Sequence, residues 1–191
     1  MTWIKICGTT SCEDAAMAID LGATAIGLIF APSRREVSIV RAREIASLAR
    51  GRAEIIGVFK EALRVRAVHE AVGLDRVQIH GTEVPDVSLP RLRAVRPEDL
   101  ARREGLLEGE LLLIDGSEGR GRAFDWTLAR HVPHPFVLAG GLTPQNVSEA
   151  LEQTRPFGVD VTSGVESVPG RKDYEKMARF IEAARRFNAG R

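Results

Sequence analysis

The chain is 191 residues long, 44% hydrophobic and 28% charged, with a net charge of +1. That length suffices for one domain with a sizeable core, so residues 1–191 are expected to form a single domain. No segment approaches the ~20 apolar residues of a membrane span, and the arginines are scattered through helical stretches, leaving no electrostatic footprint for nucleic acid.

The chain opens with "MTWIKICGTT", which has no basic start, long apolar stretch or small-residue cleavage site, and is read as mature sequence and a first strand. The two cysteines, Cys7 and Cys12, lie too close together to staple a fold, which fits a reducing, cytoplasmic setting. After "WIKIC", Thr10 and Glu13 stand in capping-box spacing before a helix with Ala15, Ala16 and Ile19 on one side. A strand "AIGLIF" from Ala25, a helix over 39–50, a strand "IIGVF" from Ile55 and a helix over 62–72 follow. Next come "VQIH" from Val77, "LRAV" from Leu92, "LLLID" from Leu111 and "FVLAG" from Phe136. Thr143-Pro144 then reads as an N-cap followed by proline at the first helical position. "VDVTS" from Val159 is the eighth strand, and Tyr174, Met177, Ile181 and Ala184 mark an amphipathic terminal helix.

Several of these strands are apolar almost throughout, as strands covered on both faces are. Strands alternating with helices imply parallel pairing with right-handed crossovers, and eight such units close into a (β/α)8 barrel. An open doubly wound sheet is the competing arrangement, since alternation alone does not close a barrel. Each unit has only roughly 24 residues, slightly below the usual size of the fold. The trimming is expected over 82–90, "TEVPDVSLP", where two prolines leave no room for a helix after strand 4.

Functional groups of such a barrel gather at the C-terminal ends of its strands. Those ends carry Cys7, the arginine pair Arg34 and Arg35, His80, Asp115, Gly140-Gly141 and Ser163-Gly164. The two glycine loops follow strands seven and eight, where backbone N–H groups reach a phosphate with no Cβ in the way; the bland reading is that they turn the chain. Asp115 closes an apolar strand, either capping the next segment or serving the mouth as an acid. A thiol at the mouth removes a proton only if it ionises, and strand alternation puts Lys5 on the face of Cys7, one layer deeper, as the charge that would lower its pKa. For Cys7 alone, a small buried hydrophobe is the simpler reading. Arg34 and Arg35 lie where a guanidinium can reach a carboxylate with two hydrogen bonds. His80 either contacts substrate or is a hydrogen-bonded rim histidine. Gly119 and Gly121 make the loop after Asp115 either a lid or a surface excursion. Cys12 is read as structural. His131 and His134 flank Pro133 with no further ligands at suitable spacing, so no metal is expected.

The segments "KICG", "GLIF…SRREVS", "VQIHG", "LLLIDG…GRGRAFDW", "LAGGLTPQNV" and "DVTSGVE…PGRKD" run in order at every barrel mouth but the fifth. Together they resemble the phosphoribosylanthranilate isomerase family, (β/α)8 barrels of tryptophan synthesis that use no cofactor. The resemblance implies that Cys7 is a general base and Asp115 a general acid. It makes Arg35, in a motif usually written S-P-R-x-V whose proline is Arg34 here, the partner of the anthranilate carboxylate. The implied reaction is an Amadori rearrangement of N-(5-phosphoribosyl)anthranilate, in which the iminium serves as electron sink. Asp160 either holds substrate hydroxyls or pairs with Lys5; the sequence leaves both open. The expected partner is a small phosphorylated substrate. A homodimer is allowed, with no face singled out.

Two other functions compete with this one. The histidine-pathway isomerase runs the same rearrangement on another phosphoribosyl amine, but that family is duplicated in two halves and has an aspartate where Cys7 stands. A non-catalytic barrel binding a phosphosugar or a partner enzyme is disfavoured by the presence of both Cys7 and Asp115.

Overall fold

Eight parallel strands close into a barrel in the computed structural model, which describes residues 2–80, 83–102, 110–116, 124–130, 132 and 135–189. They are β1 (Trp3–Cys7), β2 (Ala25–Ile29), β3 (Glu54–Phe59), β4 (Arg76–His80), β5 (Arg91–Val95), β6 (Glu110–Asp115), β7 (Phe136–Ala139) and β8 (Gly158–Val161). Each coincides with a strand predicted from apolar runs, within two residues at either end. β8 returns to pair with β1, Lys5 lying opposite Asp160, and that pairing excludes the open sheet.

Strand alternation sorts the apolar residues into two cores. Ile4, Ile6, Ile26 and Leu28 point outward and pack with Ala15, Ile45 and Phe180 of the surrounding helices. Trp3, Ala25, Ile56, Leu92, Leu113 and Val137 fill the barrel itself. The bulkiest inward side chain, Trp3, has a glycine opposite it. Trp3 is paired with Gly158, and a Cβ on that glycine would lie 2.5 Å from the Trp3 carbonyl oxygen and 2.9 Å from the indole.

The covering helices are α1 (Cys12–Leu21), α2 (Ile39–Ala49), α3 (Val65–Val72), α4 (Val147–Thr154) and α5 (Tyr174–Ala189). Their cores match the predicted segments, and their starts are where the sequence misleads. Ser11, not Thr10, caps α1 by accepting from the Asp14 amide, while the Thr10 hydroxyl donates 2.6 Å to the Gly170 carbonyl. A longer-range partner thus takes the residue that a local cap signal favoured. α3 starts three residues after its predicted boundary. Thr143-Pro144 belongs to a turn in which the Thr143 amide donates to Asn146 Oδ1, and α4 begins only after Asn146. In α5, Met177, Ile181 and Ala184 are buried, whereas Tyr174 is exposed and Phe180 completes the apolar face.

Residues 83–90 contain no helix, as the two prolines imply. Among the described residues, 3-10 turns at Pro97–Arg102 and Trp126–Ala129 follow β5 and β6. There the outward face of β5 is polar, with Arg91 and Arg93 both ion-paired to Glu110 of β6. A two-stranded hairpin, β9 (Glu166–Val168) and β10 (Arg171–Lys172), precedes α5 and was not foreseen. No helix among the described residues is long and apolar enough to cross a membrane.

The β1–β8 seam has no room for side-chain atoms at Gly158. Gly158→Ala is expected to destabilise the fold by about 1–3 kcal/mol through overpacking against Trp3. Thermal melting checks this, and an unchanged Tm would mean that the indole has space to move.

Candidate active site

At the C-terminal end of β1, Cys7 points into the barrel and is only 4% exposed. The residue opposite it on β2 is Gly27, where a Cβ would lie 2.8 Å from both Cys7 Sγ and Lys5 Cε. The absent side chain makes space for thiol and lysine stem together. Lys5, fully buried one layer below, donates to Gln78 Oε1 at 2.5 Å and to Asp160 Oδ2 at 2.9 Å. Of the two roles open to Asp160, the pairing with Lys5 is therefore present. Its other oxygen, Oδ1, is buried without a hydrogen-bond partner.

Gln78 orders the next neighbour. Because its carbonyl accepts from Lys5, its amide nitrogen faces His80 Nε2, 3.0 Å away. The ring nitrogen must then accept, which leaves the proton on Nδ1. His80 is thus hydrogen-bonded within a chain running His80–Gln78–Lys5–Asp160.

Asp115, half-buried at the end of β6, shares a recess with Asp160, Gly140, Gly141, Thr162 and Ser163. Gly140 and Gly141 have φ of 86° and 69°, left-handed backbone that favours glycine and turns their amides away from the strand path. Asn146 secures this loop by donating to the Gly141 carbonyl at 3.0 Å. Gly164 has a stricter requirement, since a Cβ there would lie 1.9 Å from the Leu142 carbonyl oxygen. It keeps the two glycine loops in contact.

Of the arginine pair, Arg34 is exposed and Arg35 lies over the end of β1, its Cδ 2.7 Å from where a Cβ on Gly8 would be. The Arg35 guanidinium forks onto Glu166, Nε to Oε1 at 2.8 Å and Nη2 to Oε2 at 2.7 Å. Lys172 belongs to the same cluster, donating to the Cys7 carbonyl at 2.5 Å, to the Thr162 carbonyl at 3.3 Å and to Glu166 Oε1 at 3.3 Å. Gln78, Glu166 and Lys172 escaped the sequence reading. For Gln78 a signal existed, because alternation in "VQIH" places it on the inward face with His80. Glu166 and Lys172 gave none, their hairpin being only three and two residues long. His131, His134, Gly119 and Gly121 lie outside the described residues.

The electrostatics overturn one expectation. Burial pushes the Cys7 thiol up, and the neighbouring Lys5 and Lys172, which pull it down, do not outweigh that. Lys5 behaves differently: burial disfavours its ammonium, but Asp160 and Cys7 beside it hold the proton above the ordinary lysine value. Burial also raises the Asp160 carboxyl, against the pull of Lys5. For Glu166 burial is overcome by Arg35, Lys172 and the Gly170 amide, and the carboxyl stays below its usual range.

A closed parallel barrel with a thiol, a carboxylate and two glycine loops at its C-terminal mouth defines a (β/α)8 barrel of the kind whose active sites sit at that end. The family model described as N-(5'-phosphoribosyl)anthranilate (PRA) isomerase matches residues 4–183, and the chain belongs to that family. A relative from Magnetococcus marinus, named N-(5'-phosphoribosyl)anthranilate isomerase, is 41% identical over 98% of this chain and 97% of its own. The crystal structure of phosphoribosyl anthranilate isomerase from Thermotoga maritima has a TM-score of 0.84 at 35% identity, covering 97% of this chain and 99% of that one. A crystal structure of such an isomerase in complex with reduced 1-(o-carboxyphenylamino)-1-deoxyribulose 5-phosphate has a TM-score of 0.83 at 35% identity and the same coverage.

A thiol whose proton is favoured by burial ionises above the 9.0 of an unperturbed cysteine. Its contribution to stability is present below that pH and is lost as pH rises past it. Thiolate absorbance of Cys7, followed in a Cys12→Ala variant, is expected to show a midpoint above 9.0, and Lys5→Met should raise it further by removing the cation. A midpoint below 9.0 would mean that Lys5 wins over burial.

Proposed function

We propose that the chain rearranges N-(5'-phosphoribosyl)anthranilate to 1-(2-carboxyphenylamino)-1-deoxyribulose 5-phosphate, with Asp115 as general acid and Cys7 as general base. The observation that carries this reading is the continuity of the mouth. Asp115 and the glycine backbone of the β7 loop line one recess with Asp160, which is bonded to Lys5 beside Cys7.

In this scheme the substrate phosphate sits against Gly140, Gly141 and Ser163, with Gly164 holding their two loops together. Asp115 delivers a proton to the ribose ring oxygen, and the C1–O bond breaks to give an open-chain protonated imine. That imine brings a positive charge to the mouth, which favours release of the Cys7 proton to solvent and so supplies the thiolate. The thiolate takes the C2 proton, the C2–H electron pair forms C1=C2, and the imine π pair moves onto nitrogen. The resulting enol tautomerises to the ketone. Arg35 receives the anthranilate carboxylate, and Asp160, through Oδ1, is the acceptor offered to a substrate hydroxyl. The histidine-pathway reading finds no support in a mouth that carries Cys7 at the base position. Two unpaired thiols support a cytoplasmic location, and the description of the Thermotoga maritima enzyme as dimeric supports a homodimer.

The decisive experiment is a coupled assay with freshly made phosphoribosylanthranilate. Cys7→Ser should abolish turnover while preserving Tm, because a hydroxyl hardly ionises at neutral pH. Asp115→Asn should be similarly crippled, yet partly rescued when the substrate is supplied ring-opened, a rescue that the Cys7 variant cannot show. Near-normal turnover in Cys7→Ser would remove the base from the scheme.

Arg35→Ala is expected to weaken substrate binding by about 1.5–3 kcal/mol, the scale of a charge-assisted contact. Arg34→Ala should do much less, and the opposite ranking would reassign the carboxylate site.

A further inference from the structure

Arg35 is the residue on which recognition of the anthranilate end depends in the reading above, and a lone arginine on a loop would be a poor recognition device. Its side chain has many rotamers, and a carboxylate that binds it must first stop it moving. Here that motion is already stopped. Glu166 is buried at the start of β9, its side chain 4% exposed, and takes Arg35 through two parallel hydrogen bonds of 2.8 and 2.7 Å. Glu166 is itself fixed: the Gly170 amide donates to Oε1 at 3.2 Å and Lys172 Nζ at 3.3 Å. A hairpin turn and a buried lysine thus hold the carboxylate that holds the arginine.

A guanidinium carries five N–H donors in a planar fork. Glu166 occupies the edge formed by Nε and Nη2. The edge formed by Nη1 and the second hydrogen of Nη2 is a separate parallel pair in the same plane, suited to a second carboxylate.

We infer that Glu166 is a positioning residue that sets Arg35 for the anthranilate carboxylate and so determines selectivity for a substrate bearing that group. The inference rests on the isomerase reading and extends it to a residue outside the reacting pair. It does not require Glu166 to touch substrate. Arginine is presented in one orientation before binding, and the carboxylate meets a preformed fork.

The test uses two inhibitors, the reduced product amine with its ring carboxylate and the N-phenyl amine lacking it, alongside turnover of phosphoribosylanthranilate. The wild type should prefer the carboxylated inhibitor. In Glu166→Gln that preference should shrink about tenfold, with affinity for the N-phenyl amine and kcat both within about threefold of wild type, the signature of one lost positioning contact. Glu166→Asp keeps the charge and should recover part of the preference, and it serves as the test variant if the glutamine variant does not fold. Arg35→Ala should abolish the preference, and adding Glu166→Gln to it should change nothing more. Equal weakening of both inhibitors in Glu166→Gln and Glu166→Asp would overturn the inference in favour of a purely structural role. Full preference in those variants, with Arg35→Ala having lost it, would overturn the inference alone. Absence of wild-type turnover would overturn the isomerase reading on which it rests.

Discussion

An ammonium group buried completely inside a β-barrel is the constraint from which most of this site follows. Removing a charge from water is unfavourable unless partners replace the lost solvation, and Lys5 finds them in Asp160 on β8 and Gln78 on β4. A lysine stem crossing the barrel needs room, and Gly27 leaves it. Once Gln78 is turned to accept from Lys5, its amide can only donate to His80, so the tautomer of a rim histidine is set from the barrel's middle layer. Cys7 then stands above a cation whose charge is partly spent on Asp160. Burial above all, helped by the Asp160 charge, keeps the proton on the thiol even though a lysine lies directly beneath it.

A second charged group acts from the side. Lys172 donates to the backbone carbonyl of Cys7, which fixes the end of β1 without touching the thiol, and the same ammonium reaches Glu166. The two networks approach Cys7 by different routes, one through its side chain and one through its main chain. Lys172 therefore holds the thiol in place through the main chain and, together with Lys5, pulls on its proton against the effect of burial.

The fold was legible because its dominant signal is coarse. Eight short apolar runs survive any error of one or two residues, and their alternation with helices makes them parallel, but closure rests on the pairing of β8 with β1. Helix starts are finer and depend on competition. Thr10 has the residue type of a cap, yet its hydroxyl is taken by the Gly170 carbonyl far along the chain, and no local rule anticipates that. After β5 and β6 the described residues carry 3-10 turns for which the sequence offered no periodic signal, in keeping with the polar outward face of β5. At the site, residues that end strands were read correctly as mouth residues, since strand polarity alone places them. Glu166 and Lys172 were not, because a hairpin of three and two residues carries no periodicity. The direction of the Cys7 shift was missed because sequence names the neighbouring lysine and says nothing of how dry the thiol is.

The seam between β1 and β8 has a consequence for how the protein is made. Lys5 meets Asp160 across 155 positions, Arg35 meets Glu166 across 131, and Lys172 meets the Cys7 carbonyl across 165. A chain leaves the ribosome at about 5–20 residues per second, so the first strand emerges well before its polar partners exist. Until β8 and the hairpin arrive, Lys5 has no counter-charge and is better placed in water than in a closed interior. The same pairs that complete the active site therefore hold back closure of the nascent barrel. Assembly of the catalytic mouth is thus deferred until β8 and the hairpin have been made, and shorter chains are kept from closing around an unpaired charge.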